Sequence, residues 1–270
     1  GTEEREEGRP GRNATLADRR VYLKEDEDMT DKERFEELMQ SVSDRPGFDR
    51  LMNYIRKSDF YTAPASTRFH LSCEGGLLQH SLNVYDALIG RLQMLDDGEY
   101  HYMVAGKSVA SFSQGTLAVV SLLHDICKTN FYTVEYRNKK VYNDKGSKRD
   151  AGGRFAYAVE DKNPYGHGEK SVMMVEEFMK LSMEERYAIR WHMGMGDCSY
   201  NEIQAFNASC ELYPLVLLLH NADQEASHFM EDPDGRKQIF KEAGQEAAAP
   251  ADQMTFEEAP AMAPAGKQPP

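Results

Sequence analysis

The chain is short of cysteine, tryptophan and positive charge, and it contains no long apolar run. Its 270 residues include four cysteines and one tryptophan. Cys73, Cys127, Cys198 and Cys210 form no CxxC pair. That excludes a four-thiolate zinc site and the tightly spaced bridges of a small secreted domain; we read them as reduced, packed thiols. Lys and Arg number 32 against 45 Asp and Glu, a net charge of −13. Such a balance weighs against a protein that coats duplex DNA or an anionic lipid surface, both of which reward a basic face. No stretch approaches the roughly 18–20 apolar residues of a membrane span, and no signal-peptide core follows the charged N-terminus. A soluble, cytoplasmic protein is expected.

Residues 1–28 are rich in Glu, Arg and Gly and have almost nothing to bury. A disordered segment is expected there, with Met29 a candidate natural start. Residues 231–270 are rich in Pro, Ala and Gly without periodicity, which reads as a disordered tail. The core must then lie in one domain over 29–230. Thr30 followed by Glu33 looks like a capping box opening an amphipathic helix. Apolar periodicity predicts helices over 31–43, 47–58, 76–96, 115–128, 168–181, 183–193 and 213–230. The stretch 115–128 is apolar nearly all round, as a central buried helix is. The fold class is therefore mainly α.

Residues 131–160 break the helical pattern. FYTVEYR, KKVYN and FAYAVED are aromatic and β-branched runs separated by Asn-Lys and a Gly/Lys-rich loop, which predicts a β-hairpin or a three-stranded flap. Eight basic residues lie in 137–162 (Arg137, Lys139, Lys140, Lys145, Lys148, Arg149, Arg154 and Lys162) against four acidic ones. Two readings stay open: a solvated loop, or a flap that meets a phosphorylated substrate through residues such as Lys139 and Lys140.

His80, the adjacent pair His124 and Asp125, His167, His192 and Asp223 each sit on or beside a predicted helix. Imidazole and carboxylate bind divalent transition metals without help from thiolate. Asp125 lies inside the apolar run VVSLLHDICK, where an unpaired carboxylate costs on the order of several kcal/mol. A metal is its most economical partner.

Five ordered segments carry a family resemblance: HLSCEGGLLQHSLNV, LLHDICK, YGHGEKSV, AIRWHMG and LLLHNADQEA. In this order they resemble the HD superfamily of metal-dependent phosphohydrolases, in particular the binuclear subgroup and the HD domain of bacterial 3′–5′ exoribonuclease-like proteins. The resemblance implies an HD-type helical bundle and two divalent transition-metal ions such as iron, manganese or zinc. His80, His124, Asp125 and Asp223 would hold the first ion. His167 and His192 would hold the second, with Asp125 bridging and a water between the ions aimed at phosphorus. Lys128, at i+3 from Asp125, would touch a substrate phosphate or the leaving oxygen. His70 and Arg190 are further candidate substrate contacts, and Glu169 and Lys170 are candidate supports for His167.

The chain departs from the family pattern at Cys127, where glycine is usual, and in a longer segment from Thr129 to Tyr165. The exoribonuclease relatives carry an N-terminal OB-type domain, for which residues 29–70 are too short. This favours a nucleotide, cyclic nucleotide or short oligonucleotide over long RNA. Phosphomonoester or phosphodiester hydrolysis is the leading expectation. A di-iron HD-type oxygenase cleaving a C–P or C–C bond would use the same ligands, and a non-catalytic nucleotide sensor is a third reading.

Overall fold

A helix that opens on a capping box begins the described part of the chain. The computed structural model describes residues 29–68, 70–142, 148–196 and 198–231, with side chains throughout these except in 137–142 and 148–155. The expected end segments, 1–28 and 231–270, lie outside the described residues apart from Glu231. Thr30 accepts from the backbone of Glu33 while Glu33 accepts from the backbone of Thr30, starting α1 (Asp31–Met39), which a single 3₁₀ turn extends to Val42. Then come α2 (Phe48–Lys57), α3 (Gly76–Ile89), β1 (Gln93–Met94), β2 (Tyr100–Val104), β3 (Lys107–Phe112) and α4 (Gln114–Leu123). After a 3₁₀ turn (Ile126–Lys128) follow β4 (Tyr132–Tyr142), β5 (Lys148–Val159), α5 (His167–Glu176), α6 (Met183–Trp191), α7 (Tyr200–Leu212) and α8 (Pro214–Glu225). The described chain is mainly α-helical.

Helix α4 takes the centre, as its all-round apolar sequence predicts: it packs on α1, α3 and α6. Leu117, Val119, Val120, Leu122 and Leu123 are wholly buried. Helix α8 lies against α3 and α6, and α5 lies against α6 and the 3₁₀ turn. Gly168 permits the last approach, since a Cβ there would sit 2.1 Å from the carbonyl oxygen of Arg190. The N-terminal helices are tied to α6 by Arg45, whose two guanidinium nitrogens donate to the buried Glu185 carboxylate at 2.8 and 2.9 Å.

Three expectations need correction. The helix expected over 76–96 stops at Ile89, and residues 93–112 instead form an antiparallel meander, β1-β2-β3. Its second hairpin turns through Ala105 and Gly106, both at positive φ (50° and 76°). A two-residue turn of that kind matches strand twist, but Ala-Gly is a weak signal for it. Asp97 and Ser108 flank His101 at 2.9 and 2.7 Å and pin the meander. Secondly, Tyr200–Leu212 form a helix that the apolar periodicity does not predict. Thirdly, the helix expected over 115–128 ends at Leu123, with Asp125 at φ −108° and ψ 16° before the 3₁₀ turn. The expected β insertion is a two-stranded hairpin, β4 with β5, paired from Tyr132↔Val159 to Tyr142↔Lys148. No helix among the described residues is long and apolar enough to cross a membrane.

Candidate metal centre

The break after Leu123 decides what the central helix can present. Adjacent residues on an α-helix point about 100° apart, so His124 and Asp125 would diverge on an unbroken one. With His124 at the helix end and Asp125 outside helical geometry, both side chains turn to one buried cluster. His80 enters from the middle of α3, Asp223 from the last turn of α8, His167 from the first residue of α5, and His192 from the end of α6. Gly168 holds α5 on α6 and so sets His167 beside His192, their ring centroids 5.4 Å apart. The six expected ligands are thus brought together.

The four imidazoles form an arc, with centroid separations of 5.2 Å (His80–His124), 4.8 Å (His124–His192) and 5.4 Å (His192–His167). Asp125 sits inside it. Its Oδ1 faces His167 Nε2 at 2.7 Å and His192 Nε2 at 3.4 Å, while its Oδ2 faces His124 Nε2 at 3.5 Å and His80 Nε2 at 3.6 Å. Asp223 Oδ1 lies 3.2 Å from His80 Nε2, and Lys128 Nζ donates to Asp125 Oδ2 at 2.6 Å. The carboxylate divides the histidines into two pairs, one per oxygen.

Three of the four rings are oriented by a partner on the far nitrogen. His124 Nδ1 donates to the carbonyl of Ser121 and His192 Nδ1 to that of Ile189, each at 2.7 Å. His80 Nδ1 donates to Glu231 at 2.9 Å, and Asn83 holds the same carboxylate at 3.0 Å. The fourth ring, His167, has Cys127 Sγ beside both its nitrogens, 3.2 Å from Nδ1 and 3.7 Å from Nε2. All four Nε2 atoms face inward, the arrangement that metal-ligating histidines adopt.

Electrostatics follow from the crowding. Burial alone would raise the Asp125 carboxyl, yet Lys128 and His124 hold it well below the usual carboxylate range. Asp223 is likewise depressed, against its burial, by His80. For His80 burial opposes charge, but Asp223 and Glu231 prevail and push it up to about 10. Burial lowers His124, and it also lowers His70.

The donor set fits a transition metal. His192 Nε2 is buried without a hydrogen-bond partner, because Nδ1 carries the proton. Its lone pair confronts Asp125 Oδ1 across 3.4 Å, and two electron-rich atoms in a dry site repel unless a cation lies between them. Ligand atoms about 2.1 Å from a shared ion stand roughly 3.0–3.4 Å apart; His80–Asp223 at 3.2 Å and His192–Asp125 at 3.4 Å match this, and the Asp125 contacts to His124 and His80 at 3.5 and 3.6 Å lie just beyond it. Four overlapping triplets among the described residues could each hold an ion: His70, His80 and Glu231; His80, His124 and Asp223; His124, Asp125 and His192; Asp125, Cys127 and His167.

A cavity of about 650 Å³ opens beside the cluster, walled by His70, Lys128, Tyr132, Val159, Met193 and His228 among others. His70 lines this cavity, its Nε2 buried without a hydrogen-bond partner and its ring 5.1 Å from that of His80. Other expectations differ. Arg190 does not line this cavity: its guanidinium pairs with Glu169 and lies 4.0 Å over Trp191. Two residues before His192 on a helix, it points to another side. Glu169 and Lys170 engage Arg190 and Asp161 instead of His167. The side chains of Lys139 and Lys140 lie outside those described. Glu231, which composition assigns to the tail, is buried against His80; no local pattern marks it. His220, whose Nδ1 donates to the His192 carbonyl at 2.7 Å, supports that turn. Compared with protein-family models, curated proteins and solved structures, the chain gives no match.

Proposed function

We propose that this chain is an HD-type, metal-dependent phosphohydrolase acting on a phosphomonoester or phosphodiester of a nucleotide or short oligonucleotide. The observation that carries the reading is the division of Asp125. One oxygen faces His167 and His192 and the other faces His80 and His124, as a carboxylate between two sites would. His80, His124, Asp125 and Asp223 would hold one ion, and Asp125, His167 and His192 a second. When bound, divalent transition metals supply Lewis acidity toward phosphoryl oxygens and acidify water near neutral pH.

The protein's own part is placement and charge. Lys128 stands at the junction of cluster and cavity with its side chain 13% exposed. A fixed cation there opposes charge developing on the leaving oxygen. Asp125 and Asp223 stay ionised at neutral pH and so remain ligands. His70 and His228 offer polar contacts on the cavity wall, Tyr132, Val159 and Met193 apolar ones. The volume falls in the range of small-molecule sites and suits a nucleotide. Lys128 supports an anionic, phosphate-bearing substrate.

The test is metal analysis of the purified protein, followed by turnover of a nucleotide panel with and without oxygen. Phosphate or nucleoside release independent of oxygen is expected. Oxygen uptake matching product would replace the hydrolase reading with the oxygenase one, and two bound ions without turnover would favour a sensor.

A further inference from the structure

The hairpin β4–β5 starts at the cavity, and its two faces are unlike. Side chains alternate along a strand, and residues paired across two strands share a face. Tyr132↔Val159, Val134↔Tyr157 and Tyr136 therefore lie on one face, with no break in register between them. Thr133, Glu135, Ala156 and the buried Ala158 lie on the other. The first face begins as cavity wall, through Tyr132 and Val159. The Tyr132 hydroxyl donates to the Ala65 carbonyl at 3.2 Å, which holds that ring at the mouth. Tyr157 follows, its ring centroid 6.4 Å from that of Tyr132. Val134, Tyr136 and Val159 are each more than half exposed. A ribbon that needed only to be solvated would carry polar residues there.

We propose that this face is a base-stacking subsite, and that it serves a single-stranded oligonucleotide substrate. One nucleotide would enter the cavity with its phosphodiester at the cluster, and the bases next to it would lie on Tyr132, Tyr157 and Tyr136. The choice of occupant rests on the phosphohydrolase reading above. Continuity supports it, since the same face lines the cavity and leaves it. Length supports it too: Tyr132 and Tyr136 stand about 13 Å apart along the strand, enough for more than one base. Charge is the third support. The outer half of the two strands carries Arg137, Lys139, Lys140, Lys148, Arg149 and Arg154, a basic stretch in a chain of net charge −13. Phosphates are drawn to such a stretch, whereas a second copy docking hairpin to hairpin would set like charges together. Stacking on aromatic rings tolerates any base, so the subsite selects for length and not for sequence.

Fluorescence anisotropy on the full, as-purified chain tests this, with phosphorothioate linkages in the probes to slow cleavage. The probes are labelled pentamers of adenylate and deoxyadenylate and an abasic pentamer with the same phosphates; adenosine monophosphate serves as competitor. Wild type should bind the adenylate pentamers about tenfold or more tighter than the abasic one. Tyr136→Ala should weaken pentamer binding about 5–10-fold, as expected when one stack is lost, and leave the monophosphate unchanged. Tyr136→Phe should restore the affinity. Tyr136 is exposed and outside the cavity lining, and circular dichroism checks that both variants fold. Either sugar supports the subsite, and a preference between the two names the nucleic acid. Equal affinity for abasic and base-bearing pentamers, or a silent Tyr136→Ala, would overturn the proposal. So would a wild-type dimer in sedimentation that Tyr136→Ala dissociates, because the face would then belong to a second copy. Base-dependent binding without hydrolysis of any nucleotide or oligonucleotide would remove the hydrolase reading and leave the subsite. Hydrolysis with a silent Tyr136→Ala would do the reverse.

Discussion

Metal binding at this cluster should displace one proton, and His80 is its source. In the metal-free protein the Asp223 and Glu231 carboxylates, overcoming burial, raise His80 from the usual 6.5 to about 10. At pH 7 the ring is therefore doubly protonated, Nδ1–H to Glu231 and Nε2–H toward Asp223. An ion taken at Nε2 needs that nitrogen bare. Three pH units below its pKa, removing the proton costs about 4 kcal/mol, at 1.36 kcal/mol per unit. His124, lowered by burial, is already neutral, and Asp125 and Asp223 are already ionised. Affinity for the first ion should thus climb about tenfold per pH unit from 7 toward 10. Calorimetry of zinc or manganese binding at pH 7, in buffers of different ionisation enthalpy, should report one proton released with the first ion. No release and a flat affinity across this range would show that His80 is neutral before binding, and the reasoning would fall. Stability carries the matching sign. A folded pKa above the unfolded one contributes stability fully present below pH 6.5 and lost as pH rises through about 10, so the chelated protein should melt lower at pH 10 than at pH 7.

Arg45→Ala should destabilise the fold by about 3 kcal/mol in urea denaturation, since it strands the wholly buried Glu185 carboxylate; a change under about 0.5 kcal/mol would mean the pair is dispensable. Gly168→Ala should cost about 1–3 kcal/mol and weaken the His167 side of the cluster, because its methyl meets the Arg190 carbonyl. Metal titration and melting together check this, and unchanged values in both would refute the close approach. Lys128→Ala should lower kcat about 100-fold with little change in KM. A rise in KM alone would assign Lys128 to ground-state binding.

The residues that converge were legible in the sequence because buried polar groups are conspicuous against an apolar helix. His124 and Asp125 interrupt VVSLL, and the spacing of Lys128 placed it on their side. The core helices followed from periodicity for the same reason: burying an apolar face is the largest favourable term a soluble chain has. What the sequence could not announce depends on turns and on distance along the chain. Ala105-Gly106 takes a tight hairpin turn at positive φ although alanine seldom does, so the periodicity carries a helix to residue 96 and marks no strand over 97–112. Arg190 looked like a site residue by proximity to His192, and helical rotation carried it to Glu169 and Trp191.

Composition and pattern alone determined that the chain is mainly helical, that its centre is α4, and that six imidazole and carboxylate groups need an explanation. Tertiary structure alone decided how those groups meet. The backbone leaves helical geometry at Asp125, so two neighbours that would diverge share one cluster. Glu231 returns from 151 residues away to grip His80, and Cys127 reaches His167 across 40. No local propensity encodes such contacts. They exist because packing α3, α5, α6 and α8 around α4 leaves buried ring nitrogens that must find partners, and folding supplies them from wherever the chain passes.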